Sequence, residues 1–243
     1  MTLTIIGAGP GGYETAVAAA AKGIEVYIVS AGPVGGTCLN EGCIPTKALC
    51  RNAEVLEDLH NAGKFGVEAG DFKFDISGAM ARKDEVVSQL RGGIEFLLKN
   101  KLIHLVYGKA SFKDSRTVAV QAEDGSISEI SSDYIIIATG SHSAMLPIPG
   151  TDLEGVITSR EILSIDHVPQ RLCVIGAGVI GLEFASVFSS FGSEVTVLEY
   201  CKDVLPRFDT DMAKRLKQAL GKRGINIETA AQVQAIEKTE EGL

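Results

Sequence analysis

One segment written twice limits the fold more than any other feature of this chain. Leu3–Gly7 is an apolar strand running into Gly7-Ala8-Gly9-Pro10-Gly11-Gly12. The alanine-rich stretch Thr15–Lys22 follows, with a stop at Gly23 and a second strand at Glu25–Val29. The order recurs: Leu172–Ile175, the turn Gly176-Ala177-Gly178-Val179-Ile180-Gly181, a helix to Phe191, a stop at Gly192 and strand Glu194–Leu198. A shift of 169 residues superposes Gly7, Gly9, Gly12, Glu14, Ala16, Gly23, Glu25 and Val26 on identical residues. A single G-x-G-x-x-G is a weak sign. Two in one register, each inside strand–turn–helix–strand, predict two Rossmann-like α/β units.

The glycines have physical reasons. The first permits the tight turn and the second lets a pyrophosphate approach the backbone. The third lets helix and strand pack closely, with the helix N-terminus facing the phosphates. An acidic residue some 20 positions on accepts the ribose hydroxyls. In the second copy this is Glu199, 23 residues after Gly176, and a carboxylate there favours NAD over NADP. In the first copy the same position is Ser30, so its ribose contact is weaker or differently made. The competing reading is two glycine-rich turns that bind nothing.

Between the copies stands Gly35-Gly36-Thr37-Cys38-Leu39-Asn40-Glu41-Gly42-Cys43-Ile44-Pro45-Thr46-Lys47. In a regular helix, residues five apart have Cα atoms about 8.6 Å apart, beyond the roughly 7 Å a disulfide tolerates. Cys38 and Cys43 can therefore bridge only if Asn40-Glu41-Gly42 bends the chain before regular helix begins near Cys43. A cysteine at a helix N-terminus has its thiolate favoured by the dipole. A structural bridge or two unrelated thiols are the alternatives for the pair taken alone.

The rest of the chain fits around these motifs. Residues 46–60 and 79–100 read as helices, with Val86, Val87, Leu90, Ile94, Leu97 and Leu98 as core positions. Residues 102–137 read as a small antiparallel meander ending in the buried-type strand Tyr134–Ile137 and the turn Ala138–Ser141. The proline-containing stretch 142–170 reads as a connection. The second unit continues through a helix at 209–223, a strand at Ile225–Ile227 and the stretch Gln232–Lys238. It then stops at the hairpin turn Glu240-Glu241-Gly242-Leu243 with no return strand.

A hydrophobic fraction of 45% suits a globular α/β protein, and a formal net charge of −8 argues against nucleic acid and anionic membranes as partners. The N-terminus lacks a signal peptide's basic start, and no apolar run reaches the length of a spanning helix. The five cysteines show no zinc spacing, so no metal site is expected; a cytoplasmic protein with a catalytic rather than structural cysteine pair is. Lys47, four residues after Cys43 on the same helix face, is a candidate ion-pair partner for Glu183, the alternative being a solvated lysine. Cys50, Cys173 and Cys201 read as ordinary thiols. No catalytic role falls to His60, His104, His142 or His167, and no base for thiol chemistry is visible.

With both glycine-rich units, the Cys-x4-Cys element and Ala138-Thr139-Gly140-Ser141 in this order, the chain resembles the pyridine nucleotide–disulfide oxidoreductases. Its segment 35–49 looks most like that of the dihydrolipoamide dehydrogenases. The resemblance implies an FAD-binding domain at 1–149 carrying the redox element and an NAD-binding domain at 150–243, each a parallel sheet plus a β-meander. It further implies a redox disulfide Cys38–Cys43, with disulfide and NAD on opposite faces of the flavin. Cys38 would exchange with dihydrolipoamide, and Cys43 would pass electrons through FAD to NAD. Gly7, Gly9, Pro10, Gly12, Ser30, Gly35, Gly36, Thr37, Lys47, Ala110, Thr139, Gly140 and Ser141 would serve FAD. Gly176, Gly178, Val179, Ile180, Gly181, Glu183, Glu199 and Val233 would serve NAD. The dihydrolipoamide would ride on a carrier domain of a 2-oxo acid dehydrogenase or glycine cleavage complex, and the protein would be a homodimer.

Glutathione reductases differ in carrying basic residues at Glu199 and commonly Lys at Thr46, whereas mercuric reductase shares much of the N-terminal pattern. Ser30 departs from the family's acidic FAD-ribose ligand. The family's later Gly-Asp segment and its dimerisation domain with a His–Glu pair are not found in the 243 residues. The chain thus reads as the N-terminal half of a reductase, its second unit truncated, its sheets incomplete at their edges, and inactive alone. The reading from another class is a dinucleotide-binding fragment without turnover.

Overall fold

The computed structural model describes residues 1–240, 242 and 243. In chain order the elements are β1 (Thr2–Ile6), α1 (Pro10–Ala21), β2 (Glu25–Ser30), α2 (Gly36–Glu41), α3 (Cys43–Asn61) and α4 (Ile76–Leu97). Next come β3 (Ile103–Tyr107), β4 (Lys109–Phe112), β5 (Thr117–Gln121), β6 (Ile127–Ser131) and β7 (Tyr134–Ile137). The chain continues with β8 (Arg171–Ile175), α5 (Val179–Phe191), β9 (Glu194–Glu199), α6 (Thr210–Lys222) and β10 (Asn226–Thr229). These form two compact units, Met1–Pro45 with Asp84–His142, and Thr46–Lys83 with Ser143–Leu243.

In the first unit a parallel sheet runs β3-β2-β1-β7. Strand alternation gives it two apolar faces. Leu3, Ile5, Val26 and Ile28 lie in one core with Ala16, Ala19 and Ala20 of α1, whose small side chains let the helix sit close. Ile6 and Val29 lie in another with Val118, Val120 and Ile130 of the antiparallel sheet β4-β5-β6. One polar pair is buried beside β1, where Thr4 Oγ1 and Ser132 Oγ stand 2.6 Å apart and share a hydrogen bond.

In the second unit the parallel order is β10-β9-β8. Leu182, Ala185 and Phe188 of α5 pack with Val195 and Val197 of β9. The same core takes in Leu49, Ala53 and Leu56 of α3 and Ala79 and Met80 of α4. Phe188 is fully buried and meets Phe191 edge-on, with ring centroids 5.6 Å apart. Lys83 donates from Nζ to the Leu163 carbonyl at 2.7 Å. Asp209 caps α6 by accepting from the Asp211 amide at 3.0 Å.

Several sequence expectations are corrected. Residues 103–107 join the parallel sheet beside β2 instead of the meander. The chain is redirected at Gly108, where φ is +153° and a Cβ would lie 2.6 Å from the Gln121 carbonyl oxygen. Tyr134–Ile137 is not a buried strand: β7 is last in the sheet order, with Tyr134 and Ile137 exposed. On α4, Val87 is buried but Leu90 and Leu97 are exposed, and Leu98, just past the helix, is buried. The stretch 232–238 forms no strand, although Ile236 donates its amide to the Pro149 carbonyl at 2.9 Å. The terminal turn closes by a bridge between Thr239 and Gly242, while Glu241 lies outside the described residues. Cys173, exposed on β8, fits the reading of an ordinary thiol.

Candidate active site

In an open α/β sheet, ligands bind beyond the carboxyl ends of the strands. There, in the first unit, three backbone turns converge. Gly7, at the end of β1, has φ +111°, and a Cβ on it would lie 2.1 Å from the Ala138 carbonyl oxygen after β7. Gly35 donates its amide to the Ala8 carbonyl at 2.8 Å. A Cβ on Gly36 would lie 2.6 Å from Gly9 Cα, so the two turns meet backbone to backbone. Thr139, Gly140 and Ser141 are exposed at the same end. Such a bare-backbone rim, at the start of α1 and against a sheet end, is what a pyrophosphate requires. Pro10 opens α1 and suits its first turn, where an amide has no helical partner.

The third glycine of each turn has an explanation beyond helix–strand packing. A Cβ on Gly12 would lie 1.8 Å from the Gly7 carbonyl oxygen, and one on Gly181 would lie 2.2 Å from that of Gly176. Each helix therefore rests on the carbonyl of its own turn. Ser30, buried at the end of β2, donates from Oγ to the Gly32 carbonyl at 2.8 Å. Ala110 sits half-buried on β4, packed on the core between sheet and meander.

The cysteine segment breaks where the disulfide geometry demands. α2 ends at Glu41 and α3 starts at Cys43, so Gly42 separates two helices. A Cβ at Gly42 would lie 2.9 Å from the Thr37 carbonyl oxygen, which is why the bend takes glycine. Cys38 is half-buried on α2 and Cys43 is exposed as the first residue of α3; both are thiols. A hydrogen bond with the Cys43 side chain, helped by burial, pushes the Cys38 thiol above its ordinary pKa.

Asn40, expected only as part of the bend, and Arg91, which the sequence reading did not single out, tie α2 down. Asn40 Nδ2 donates to the Val34 and Gly36 carbonyls at 3.0 and 2.9 Å, and Arg91 Nε donates to Asn40 Oδ1 at 2.9 Å. The 51-residue separation of the pair left no periodic signal that could have revealed it.

In the second unit Lys47 Nζ and Glu183 Oε1 form the expected ion pair. Burial pushes the neighbouring Cys50 thiol up, Glu183 adds to the shift and Lys47 opposes it. Glu199 is buried, its Oε2 accepting from the Ala177 amide at 2.6 Å and its Oε1 from the Cys201 amide at 2.7 Å. Burial works to raise its pKa, but the Cys201 and Ala177 amides outweigh it and hold the carboxyl below the usual range. The Cys201 thiol is pushed up by its hydrogen bond to the same carboxylate. Gly178 caps α5, with Val179 and Ile180 exposed on its first turn. Val233 is half-buried two residues beyond Ala231, whose amide bonds to the Glu199 carbonyl at 2.9 Å.

The family model for pyridine nucleotide-disulphide oxidoreductases matches residues 1–243. The chain belongs to the pyridine nucleotide-disulphide oxidoreductases. Among curated members it is 40% identical to the dihydrolipoyl dehydrogenase of Bacillus subtilis, over 98% of this chain and 52% of that one. It is 42% identical to the dihydrolipoamide dehydrogenase of Chaetomium thermophilum, over 99% of this chain and 48% of that one. The Cu(II) complex of the HOCl-induced flavoprotein disulfide reductase RclA from Escherichia coli superposes with a TM-score of 0.86 at 34% identity. That match covers 98% of this chain and 51% of the solved one. The chain thus spans about half the length of these members of the family. Among the described residues no helix is long and apolar enough to cross a membrane.

Proposed function

We propose that the protein oxidises dihydrolipoamide with NAD through FAD and a redox-active Cys38–Cys43 pair. The observation that carries this reading is the placement of the two thiols on either side of the Gly42 break, near enough for Cys43 to raise the Cys38 pKa, in the unit that carries the bare-backbone rim. Relatives at 40% and 42% identity bear the dihydrolipoyl and dihydrolipoamide dehydrogenase names.

The chemistry is thiol–disulfide exchange. In the oxidised protein a substrate thiolate attacks Cys38 Sγ, the Cys38–Cys43 bond breaks and Cys43 leaves as thiolate. The second substrate thiol loses its proton, displaces Cys38 Sγ and closes the lipoamide disulfide, leaving the electron pair on the two cysteines. FAD, when bound, supplies the acceptor that relays this pair to NAD. For FAD the chain offers the turns at Gly7–Gly12, Gly35–Thr37 and Thr139–Ser141, together with Ser30, Ala110 and Lys47. For NAD it offers Gly176–Gly181, Glu183, Glu199 and Val233. We assign the dihydrolipoamide to a carrier domain of a 2-oxo acid dehydrogenase or glycine cleavage complex, and the working form to a cytoplasmic homodimer.

NADH-dependent reduction of lipoamide by the flavin-loaded protein tests the reading. Cys38→Ser and Cys43→Ser are each expected to lower turnover on the order of a thousandfold or more, as removal of a covalent group does, while a nucleotide titration leaves NAD affinity unchanged. Turnover retained in either variant overturns the cysteine assignment. A protein that binds both nucleotides but turns over no disulfide substrate is a binding module instead.

A further inference from the structure

Cys38 sits on a helix that cannot hold its own place. α2 has six residues, opens from Gly35 and Gly36 with φ of +96° and +59°, and has no side-chain cap. A helix this short is marginal by itself. Two of its connections stand out. At its start, the Gly35 amide bonds to the Ala8 carbonyl. Near its end, Asn40 turns back with both amide hydrogens on Val34 and Gly36 and accepts from Arg91 with its oxygen. Arg91 belongs to the 22-residue helix α4. Asn40 lies between the two cysteines, one residue before the last of α2 and two before the Gly42 break. Two of its three hydrogen bonds close onto the start of α2, at Val34 and Gly36, and the third, from the charged Arg91, ties α2 to α4.

We infer that Asn40 and Arg91 are positioning residues of the redox pair, setting the effective concentration of the Cys38 thiol at Cys43 from helix α4. The inference rests on the reading of Cys38 and Cys43 as a redox couple. In a glutathione buffer the couple exchanges as dithiol plus glutathione disulfide giving protein disulfide plus two glutathiones, so atoms and electrons balance. The equilibrium constant scales with how well Cys38 is held against Cys43. Removing a hydrogen bond from a charged donor shifts such an equilibrium by about tenfold. The shift is toward the dithiol, because a pivoting α2 spends less time where the bond can close.

The test is the Cys38–Cys43 disulfide fraction across a series of reduced-to-oxidised glutathione ratios, read by alkylation and peptide mass. Arg91→Met keeps the stem but removes the donor and is expected to move the midpoint about tenfold toward the dithiol; Arg91→Lys, which retains a donor, restores most of it. Asn40→Asp keeps the acceptor for Arg91 but loses the two donated bonds, and is expected to shift as Arg91→Met does. Should Asn40→Asp fail to fold, by far-ultraviolet circular dichroism, the Arg91 pair decides alone. A purely structural tie would lower the thermal midpoint and leave the glutathione midpoint in place, and that result overturns the inference. Wild-type protein that forms no Cys38–Cys43 disulfide at any ratio overturns the redox reading itself, and the inference with it.

Discussion

At the scale of single residues, Glu199 is the position from which a nucleotide preference is expected. Its spacing from Gly176 places a carboxylate at the strand end, and the fold adds two amide bonds that fix both oxygens. A carboxylate can accept about four hydrogen bonds, so capacity remains for ribose hydroxyls, while the charge stays in place through the neutral range. The 2′-phosphate of NADP would meet this charge at close range. At an effective dielectric of about 20, like charges ~4 Å apart repel by about 4 kcal/mol, and a third of that still gives roughly tenfold discrimination. Glu199→Arg is therefore expected to weaken NAD binding and strengthen NADP binding, by about tenfold each way in a titration of both nucleotides. Unchanged preference would place the selectivity elsewhere. Ser30, the counterpart in the first copy, is neutral and already donates to Gly32, so the same substitution logic does not carry across.

At the scale of elements, the glycine turns set how close each helix comes to its sheet. Alanine in a helix interior ordinarily stabilises by about 1 kcal/mol over glycine. At Gly12 and Gly181 the added methyl would stand inside contact distance of a backbone carbonyl. Overpacking of that kind costs about 1–3 kcal/mol, so Gly12→Ala and Gly181→Ala are each expected to lower the urea midpoint. Gly93→Ala on α4 meets no atom within 4 Å and is expected to raise it; a rise at Gly12 as well would mean that the carbonyl contact yields freely. These turns were legible in the sequence because each carries its constraint locally. The partner of a strand is not local: alternation at 102–107 is equally consistent with a meander and with the parallel sheet, and the pairing to β2 decides it. The bend at Gly42 was legible for the same local reason, whereas the Arg91–Asn40 tie depends on where α4 lies.

At the scale of the whole molecule, sequence order and packing order part company. Residues 46–83 follow the first glycine-rich copy along the chain, yet Leu49, Ala53, Leu56, Ala79 and Met80 lie in the core built on the second. Periodicity identified α3 and α4 as amphipathic but could not say which sheet their faces would meet, since hydrophobic burial is non-directional. This division has a measurable consequence. Phe188 is fully buried among α5, β9 and α3 residues, and truncating a buried phenylalanine to alanine typically costs about 3–5 kcal/mol. In Phe188→Ala, native-state hydrogen exchange is expected to show protection falling together at Leu182–Val187, Val195–Val197 and the distant stretch Leu49–Leu56, because these segments share one core and open as one unit. Protection at β1 and β2, whose side chains belong to other cores, is expected to fall far less. Loss of protection at 49–56 in step with β1 rather than with α5 would mean that α3 draws its stability from the first unit, and that the chain unfolds in the order in which it is written.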